Sequence, residues 1–234
     1  MKVLLHGFTG GPSSWDRVVA RLSSEPLRLT LPGHLGTAGD VGFDDVSQLV
    51  LQDAQAEAVE LVGYSLGARV ALVTALVNPE RVRRLVLVGV NPGLREPSAR
   101  DARRAADARW IELLRQEGLE AFVQRWRQLP LWDTQAALGP EILDSQHKLR
   151  MRHHPAGLAD CLTHLGLSAM PDCWPRLSRL SMPVTLVVGA LDAKFGRIAG
   201  QMAALVPRVE VVTVPECGHN VLLERPEAVA ATLA

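Results

Sequence analysis

The chain of 234 residues is 47% apolar, which suffices for one α/β domain with an insertion. Lys plus Arg and Asp plus Glu number 25 each, so the net charge is zero and the basic excess usual in nucleic-acid-binding proteins is missing. Three cysteines without a tight pairing pattern, and no apolar run near the ~20 residues of a membrane span, predict a cytoplasmic protein with neither nucleic acid nor membrane as partner.

Six short apolar runs alternate with helical stretches along the chain. Most of these runs are continuously apolar, which is typical of strands that helices cover on both faces. The alternation predicts an α/β fold with a doubly wound, mostly parallel sheet. The predicted strands are 3–8, 27–33, 59–65, 84–90, 184–192 and 209–215. The predicted helices are 14–22, 45–57, 66–78, 199–206 and 226–233.

One block, residues 92–175, interrupts the alternation because it contains no convincing strand and is helical in composition. Ligands of open α/β sheets bind at the carboxyl edge of the strands, and an insertion of this size would cover that edge. The sequence therefore predicts a core formed by 1–91 and 176–234 and a helical cap insertion formed by 92–175. A few peripheral helices away from any site are the alternative.

The segment from Gly63 to Gly67 fits the pattern G-x-S-x-G, with Ser65 at its centre. A predicted strand runs into the segment and a predicted helix runs out of it. In this context the glycines allow a tight turn that exposes a nucleophilic serine. A glycine-rich turn with an incidental serine is the alternative.

A serine hydroxyl reacts at neutral pH only if a base accepts its proton. In this architecture the chain order is serine, acid, histidine, which Asp192 and His219 satisfy because they follow the fifth and sixth predicted strands. The aspartate would orient the imidazole and stabilise its charged form. The backbone N–H groups of Phe8 and Leu66 are the predicted oxyanion-hole donors. The alternatives are that Asp192 caps a helix and that His219 is only solvated.

The sequence contains no metal or nucleotide motif. The adjacent pair His153 and His154 lacks both the H-E-x-x-H spacing and neighbouring carboxylates, and neither G-x-G-x-x-G nor a P-loop occurs. We therefore expect no metal, no cofactor and a small-molecule substrate. The expected state is a monomer or a small homo-oligomer.

Arg69 lies four residues after Ser65 and therefore on the same face of the predicted helix. The N-terminus of that helix already favours anions, and an unpaired buried cation is costly. Arg69 therefore needs either a protein carboxylate or an anionic substrate. One or two arginines of the predicted cap could complete a bidentate carboxylate clamp. The arginines at the start of the cap are Arg95, Arg100, Arg103, Arg104 and Arg109.

With these residues the chain resembles α/β-hydrolase-fold enzymes and, within that fold, the 2-succinyl-6-hydroxy-2,4-cyclohexadiene-1-carboxylate synthases of menaquinone biosynthesis. The resemblance covers nearly the whole chain. The motif around Ser65, the arginine stretch after NPGL and the D-x-K-F segment are its specific parts. The matching pieces are LHGFTG (5–10), LPGH (31–34), LVGYSLGAR (61–69), NPGL with Arg103 (91–103), AFVQRW with LPL (121–131), DAKFGRIAGQM (192–202) and GHN (218–220).

The resemblance implies an α/β-hydrolase fold and a lyase that expels pyruvate from a cyclohexene carrying several carboxylates. It implies that Arg69 and Arg103 bind substrate carboxylates and that Tyr64 and Trp126 line the pocket. The serine, primed by the histidine, would remove a ring proton, and no acyl-enzyme would form.

The sequence also departs from the family pattern. Leu35 is an extra residue in PGHLG, Thr30 stands where an aspartate is common, and Ala68 replaces a frequent glycine. The chain begins almost directly at the first strand, without the antiparallel edge strands common in this fold. The competing functions are a serine hydrolase (carboxylesterase, thioesterase or C–C hydrolase) for an anionic substrate and a non-catalytic ligand-binding receptor.

Overall fold

The computed structural model describes all residues from 1 to 234. Its centre is one six-stranded sheet in which all neighbouring strands are parallel. The strands are β1 (Lys2–Leu5), β2 (Leu27–Leu29), β3 (Val59–Tyr64), β4 (Val82–Val88), β5 (Val184–Gly189) and β6 (Val209–Val214). Their order is β2-β1-β3-β4-β5-β6. The order in which strands are added to the sheet therefore reverses between β1 and β3, which is where ligands bind in such folds. The predicted doubly wound α/β fold is confirmed.

Helices cover both faces of the sheet because successive strand residues point to opposite sides. In β4, Leu85 and Leu87 join a cluster of 37 buried residues, whereas Val86 and Val88 join a cluster of 15 on the other face. The helices are α1 (Asp16–Val19), α2 (Phe43–Ala54), α3 (Leu66–Val77), α4 (Pro97–Gln116), α5 (Gly118–Trp126), α6 (Pro140–Arg150), α7 (Pro155–Leu165), α8 (Ala193–Ala203), α9 (Val221–Glu224) and α10 (Pro226–Leu233). None of them combines the length and apolar character needed to cross a bilayer.

Several predicted limits were wrong for local reasons. The helix predicted at 199–206 already begins at Ala193, because the Asp192 side chain accepts the N–H of Phe195 and caps the first turn. The strand predicted at 3–8 ends at Leu5, since the following residues form a turn. The short helix α9 was not predicted.

Residues 92–175 hold the four helices α4 to α7 and no strand. Three of these helices, α4, α5 and α7, share a cluster of seven buried apolar residues that includes the fully buried Phe122. The N–H of Cys173 donates to the carbonyl of Pro92 at 2.9 Å, which joins the two ends of the block. The division into core and cap stays a prediction, but the block contributes side chains to the cavity described below.

Candidate active site

Ser65 lies on the turn between β3 and α3 in a strained conformation, with φ of 51° and ψ of −104°. Such strain persists only where the surroundings fix it. The flanking glycines are required by packing: a Cβ on Gly63 would lie 2.3 Å from the Gly67 carbonyl oxygen, and one on Gly67 would lie 2.2 Å from the Leu5 oxygen. The turn therefore projects the serine side chain beyond the edge of the sheet.

Ser65, Asp192 and His219 come from three loops that follow β3, β5 and β6, and the fold brings them together. Ser65 Oγ lies 3.1 Å from His219 Nε2, and His219 Nδ1–H donates to Asp192 Oδ2 at 2.8 Å. The imidazole and the carboxylate are only 2% and 8% exposed, so water competes little for this hydrogen bond. In this geometry the carboxylate fixes the imidazole tautomer and the other nitrogen can accept the serine proton.

Further contacts fix the position of His219. The ring of Phe195 packs against the imidazole with 4.4 Å between centroids, and the Gly218 N–H donates to Glu224 Oε2 at 2.7 Å. Asp192 uses its second oxygen, Oδ1, for the cap of α8. The two interpretations of Asp192, helix cap and partner of His219, therefore hold at once.

Two backbone N–H donors without an acceptor in the protein belong to residues that line the cavity around Ser65. Leu66 is the first residue of α3, so its N–H has no acceptor within the helix. The N–H of Phe8 has no acceptor within the protein. Both residues line the same cavity as Ser65. Two unused donors next to a serine are suited to stabilise a developing negative oxygen.

The cavity in front of Ser65 has a volume of about 150 Å³ and is lined by both the core and the block 92–175. Its charged lining residues are the cations Arg69, Arg103 and Lys194, and no carboxylate lines it. A wall with charges of one sign concentrates ligands of the opposite sign. Eight of the predicted site residues line the cavity, namely Phe8, Tyr64, Ser65, Leu66, Arg69, Arg103, Trp126 and His219.

Arg69 has no acidic partner in the protein. Its Nη1 donates to the carbonyl of Leu165 at 2.8 Å, and the guanidinium forms no salt bridge. Burial, together with the neighbouring Arg103, lowers the pKa of Arg69 to about 10, which leaves it charged at neutral pH. The structure thus lacks the direct ion pair, one of the two alternatives drawn from the sequence, although the Asp107 carboxylate that pairs with Arg103 partly offsets the lowering of the Arg69 pKa.

Arg103 reaches the cavity from α4 and is oriented by a neighbour on the same helix. Its Nε donates to both carboxylate oxygens of Asp107, at 2.9 and 2.8 Å. Asp107 is only 3% exposed, so water competes little for this ion pair. The two terminal nitrogens of Arg103 make no hydrogen bond to the protein and are free for a ligand.

Tyr64 and Trp126 form part of the aromatic wall. Trp126 stacks on Phe122 with 5.4 Å between ring centroids, and its Nε1–H has no partner. The Tyr64 hydroxyl is buried without a hydrogen bond, and this burial raises its pKa well above the ordinary value. The wall is thus apolar with two unused polar atoms, which suits a ring with polar substituents.

Three residues near the site were missed from the sequence. Trp132 lies 6.0 Å from His219 between ring centroids, and Phe195 packs on the same imidazole. Arg150 is buried with its guanidinium 5.6 Å from the Trp132 ring and with no acidic partner, and burial lowers its pKa to about 10. It lines an adjoining cavity of about 330 Å³ that shares Phe8, Tyr64 and Trp132 with the first. No sequence signal marks Arg150, because only the packing of α6 shows which of its residues face inward.

A serine, a histidine and an aspartate at the carboxyl edge of a parallel sheet, with helices inserted after β4, define the class of α/β-hydrolase-fold enzymes. The family model described as the alpha/beta hydrolase family matches residues 3–232. The chain is 38% identical over 238 residues to the 2-succinyl-6-hydroxy-2,4-cyclohexadiene-1-carboxylate synthase of Enterobacter sp. (strain 638), covering 99% of this chain and 89% of that protein.

Two further comparisons agree. The synthase of the same name from Klebsiella pneumoniae subsp. pneumoniae is 36% identical over 239 residues, covering 99% of this chain and 91% of that protein. The solved structure of MenH from S. aureus has a TM-score of 0.92 and 29% identity, covering 99% of this chain and 90% of that one. The chain belongs to the alpha/beta hydrolase family and, within it, to the family of the 2-succinyl-6-hydroxy-2,4-cyclohexadiene-1-carboxylate synthases, as the resemblance predicted.

Proposed function

We propose that the protein is a lyase that eliminates pyruvate from 2-succinyl-5-enolpyruvyl-6-hydroxy-3-cyclohexene-1-carboxylate. The product is 2-succinyl-6-hydroxy-2,4-cyclohexadiene-1-carboxylate, an intermediate of menaquinone biosynthesis. The observation that carries the proposal is that Arg69, with no acidic partner, opens into the same cavity as Ser65. The names of the relatives at 36% and 38% identity support the reaction.

In this reaction Ser65 acts as a base. Its hydroxyl proton passes to His219 Nε2, 3.1 Å away, while Ser65 Oγ accepts a proton from the ring carbon that bears the succinyl group. The C–H electron pair enters the ring, the ring double bond shifts, and the C–O bond to the enolpyruvyl group breaks. The departing enolate takes up a proton and becomes pyruvate. Asp192 stabilises the imidazolium that exists during the transfer.

The backbone donors stabilise the charge that this proton transfer creates. The abstracted proton is adjacent to the succinyl ketone, so negative charge develops on that carbonyl oxygen. The N–H groups of Phe8 and Leu66 have no competing acceptor in the protein. Removing one such donor typically costs about 3 kcal/mol of transition-state stabilisation.

The cations bind the carboxylates and thereby orient the ring. Arg103 offers two terminal nitrogens in a plane fixed by Asp107, which suits a bidentate carboxylate contact. Arg69 offers the donors that Leu165 does not use. Tyr64 and Trp126 cover the ring faces. The substrate is thus a small polycarboxylate, and the three buried, unpaired cysteines support a reducing compartment, the cytoplasm.

A serine hydrolase that acts on an anionic substrate is the second candidate. The same three side chains and two backbone donors also serve acyl transfer, in which Ser65 Oγ attacks a carbonyl carbon. Both reactions need the 3.1 Å contact between Ser65 and His219, so an assay of the products distinguishes them.

The test is pyruvate release by the purified protein, coupled to lactate dehydrogenase. We expect pyruvate in equal amount to the diene product, and loss of the activity in Ser65→Ala. Rapid turnover of nitrophenyl esters without pyruvate would establish the hydrolase instead. Binding of the substrate with neither reaction would establish a receptor.

A further inference from the structure

Three histidines outside the catalytic set pack in a row beneath the loop that carries Phe8. His6 and His34 lie 4.7 Å apart between ring centroids, and His34 and His153 lie 5.3 Å apart. All three are buried, with exposed fractions of 0%, 0% and 4%. None of them takes part in the hydrogen bonds of Ser65, so the proposed reaction gives them no role.

His6 and His34, the two members of the row that lie in the core, each use both ring nitrogens for hydrogen bonds to the backbone of nearby loops. His6 Nδ1–H donates to the Gly7 carbonyl at 2.8 Å, and its Nε2 accepts the Leu31 N–H at 3.0 Å. His34 Nε2 accepts the N–H of Thr9 at 3.2 Å, and its Nδ1–H faces the carbonyls of its own loop. Each ring is therefore neutral and has one fixed tautomer.

The third member comes from the block 92–175, in the turn between α6 and α7. His153 Nε2–H donates to the Thr9 carbonyl at 3.1 Å, and its Nδ1 accepts the N–H of Leu35 at 3.1 Å. One imidazole thus joins this block to two loops of the core. Leu35 has a left-handed φ of 50°, a conformation in which a leucine is uncommon, so its loop needs external support.

Thr9 is held from both sides. Its N–H donates to His34 and its carbonyl accepts from His153, and its own φ of 63° is left-handed. Thr9 directly follows Phe8, which lines the cavity and whose N–H has no acceptor in the protein. His34 holds the peptide between Phe8 and Thr9, and His153 holds the peptide that follows Thr9. The two contacts together limit the φ and ψ of Thr9 and thereby the orientation of the backbone beside the Phe8 N–H.

We propose that His153 is a positioning residue that places the Phe8 N–H for oxyanion stabilisation and makes that donor depend on the docked position of the helices of block 92–175. The donor role of Phe8 rests on the proposed function, whereas its position does not. An undocked block would leave Thr9 held by His34 alone. The oxyanion donor would then be complete only when the cavity is covered.

Two substitutions test the two hydrogen bonds of His153 one at a time. The amide of His153→Gln reaches about as far as imidazole Nε2 and can still donate to Thr9, whereas His153→Asn reaches only as far as Nδ1 and can serve Leu35 alone. His154→Gln is the matched control, since the neighbouring His154 is exposed. The readouts are kcat and KM for pyruvate release, the urea midpoint, and the amide resonances of Phe8 and Thr9 in the free protein.

We expect His153→Asn to lower kcat about 10- to 100-fold with KM within about twofold, a part of the loss expected for a missing oxyanion donor. We expect His153→Gln and His154→Gln to stay within about threefold of the wild-type kcat. The Phe8 and Thr9 resonances should shift in His153→Asn only, although both His153 variants lose one hydrogen bond.

Equal loss of kcat in the Asn and Gln variants, in proportion to their urea midpoints, would overturn the proposal in favour of a purely structural histidine. Unchanged Phe8 and Thr9 resonances in His153→Asn would overturn it as well. The second result requires no turnover, so it is distinguishable from failure of the pyruvate assay in the wild-type protein.

Discussion

Replacing Arg69 by methionine should lower activity while leaving the fold intact. Methionine keeps most of the length of the side chain and removes the charge and the donors. A hydrogen bond to a charged group contributes about 1.5–3 kcal/mol. Loss of one carboxylate contact should therefore lower kcat/KM roughly 10- to 150-fold, at 1.36 kcal/mol for each factor of ten.

The effect on stability should be small, because two contributions of similar size oppose each other. Burial lowers the pKa of Arg69 to about 10, which corresponds to roughly 3 kcal/mol of unfavourable free energy for the charged form. Water in the cavity screens part of this cost, so about 1–2 kcal/mol is expected. Methionine also loses the hydrogen bond from the charged guanidinium to Leu165, worth about 1.5–3 kcal/mol. The variant should therefore lie between equally stable and about 2 kcal/mol less stable.

Urea unfolding and the pyruvate assay together test this prediction. Arg104→Met is the control, because Arg104 on α4 is exposed and pairs only with Asp101. Turnover of a neutral nitrophenyl ester by Arg69→Met, where measurable, should not fall, since that substrate has no carboxylate. A loss of more than about 2 kcal/mol of unfolding free energy would show that Arg69 stabilises the fold, and an unchanged kcat/KM would remove it from the site.

Three other changes have defined outcomes. Arg103→Ala should raise KM about tenfold, and it should lower the unfolding free energy by about 1–3 kcal/mol because the buried Asp107 loses its donor. Adding Asp107→Asn should restore the unfolding free energy but not KM. Recovery of both quantities would mean that the pair is only structural. Glu224→Ala should lower kcat about tenfold by releasing the Gly218 N–H, whereas Glu224→Gln keeps an acceptor; equal kcat in the two variants would contradict this. As the pH is lowered from 6.5 to about 4, the unfolding free energy should decrease by about 3 kcal/mol through His6 alone. Burial lowers the pKa of His6 in the folded state to about 4, so over this range only the unfolded chain takes up the proton. A flat urea midpoint over this range would refute the prediction.

The catalytic set could be predicted because each member depends on local rules. Ser65 lies in a short motif between a strand and a helix, and chain order assigns Asp192 and His219 to the ends of later strands. Arg69 follows from the helix period, since α3 begins directly after the serine. These inferences need only the parallel sheet, whose strands all end at the same edge.

The remaining contacts depend on how the helices of block 92–175 pack on the core. Arg150 and Trp132 face the cavities only because of the orientations of α6 and of the turn before it. The sequence places His153 beside His154 with nothing to distinguish them, yet one is buried against Thr9 and the other is exposed. Such differences arise from long-range packing, which hydrophobic periodicity does not encode.

The wall of the cavity, more than the catalytic set, decides which reaction occurs. A serine activated by histidine can accept a proton from carbon or attack a carbonyl carbon, and the 3.1 Å contact is the same in both cases. What differs is which atom of the substrate lies against Ser65 Oγ. Arg69 lies one helical turn from the serine, and Arg103 faces the same cavity from α4, so a polycarboxylate bound to both has little freedom to rotate. We therefore expect the charge placement to hold the ring C–H of the proposed polycarboxylate against Ser65 Oγ, whereas a neutral ester, which neither guanidinium can orient, gains nothing from it.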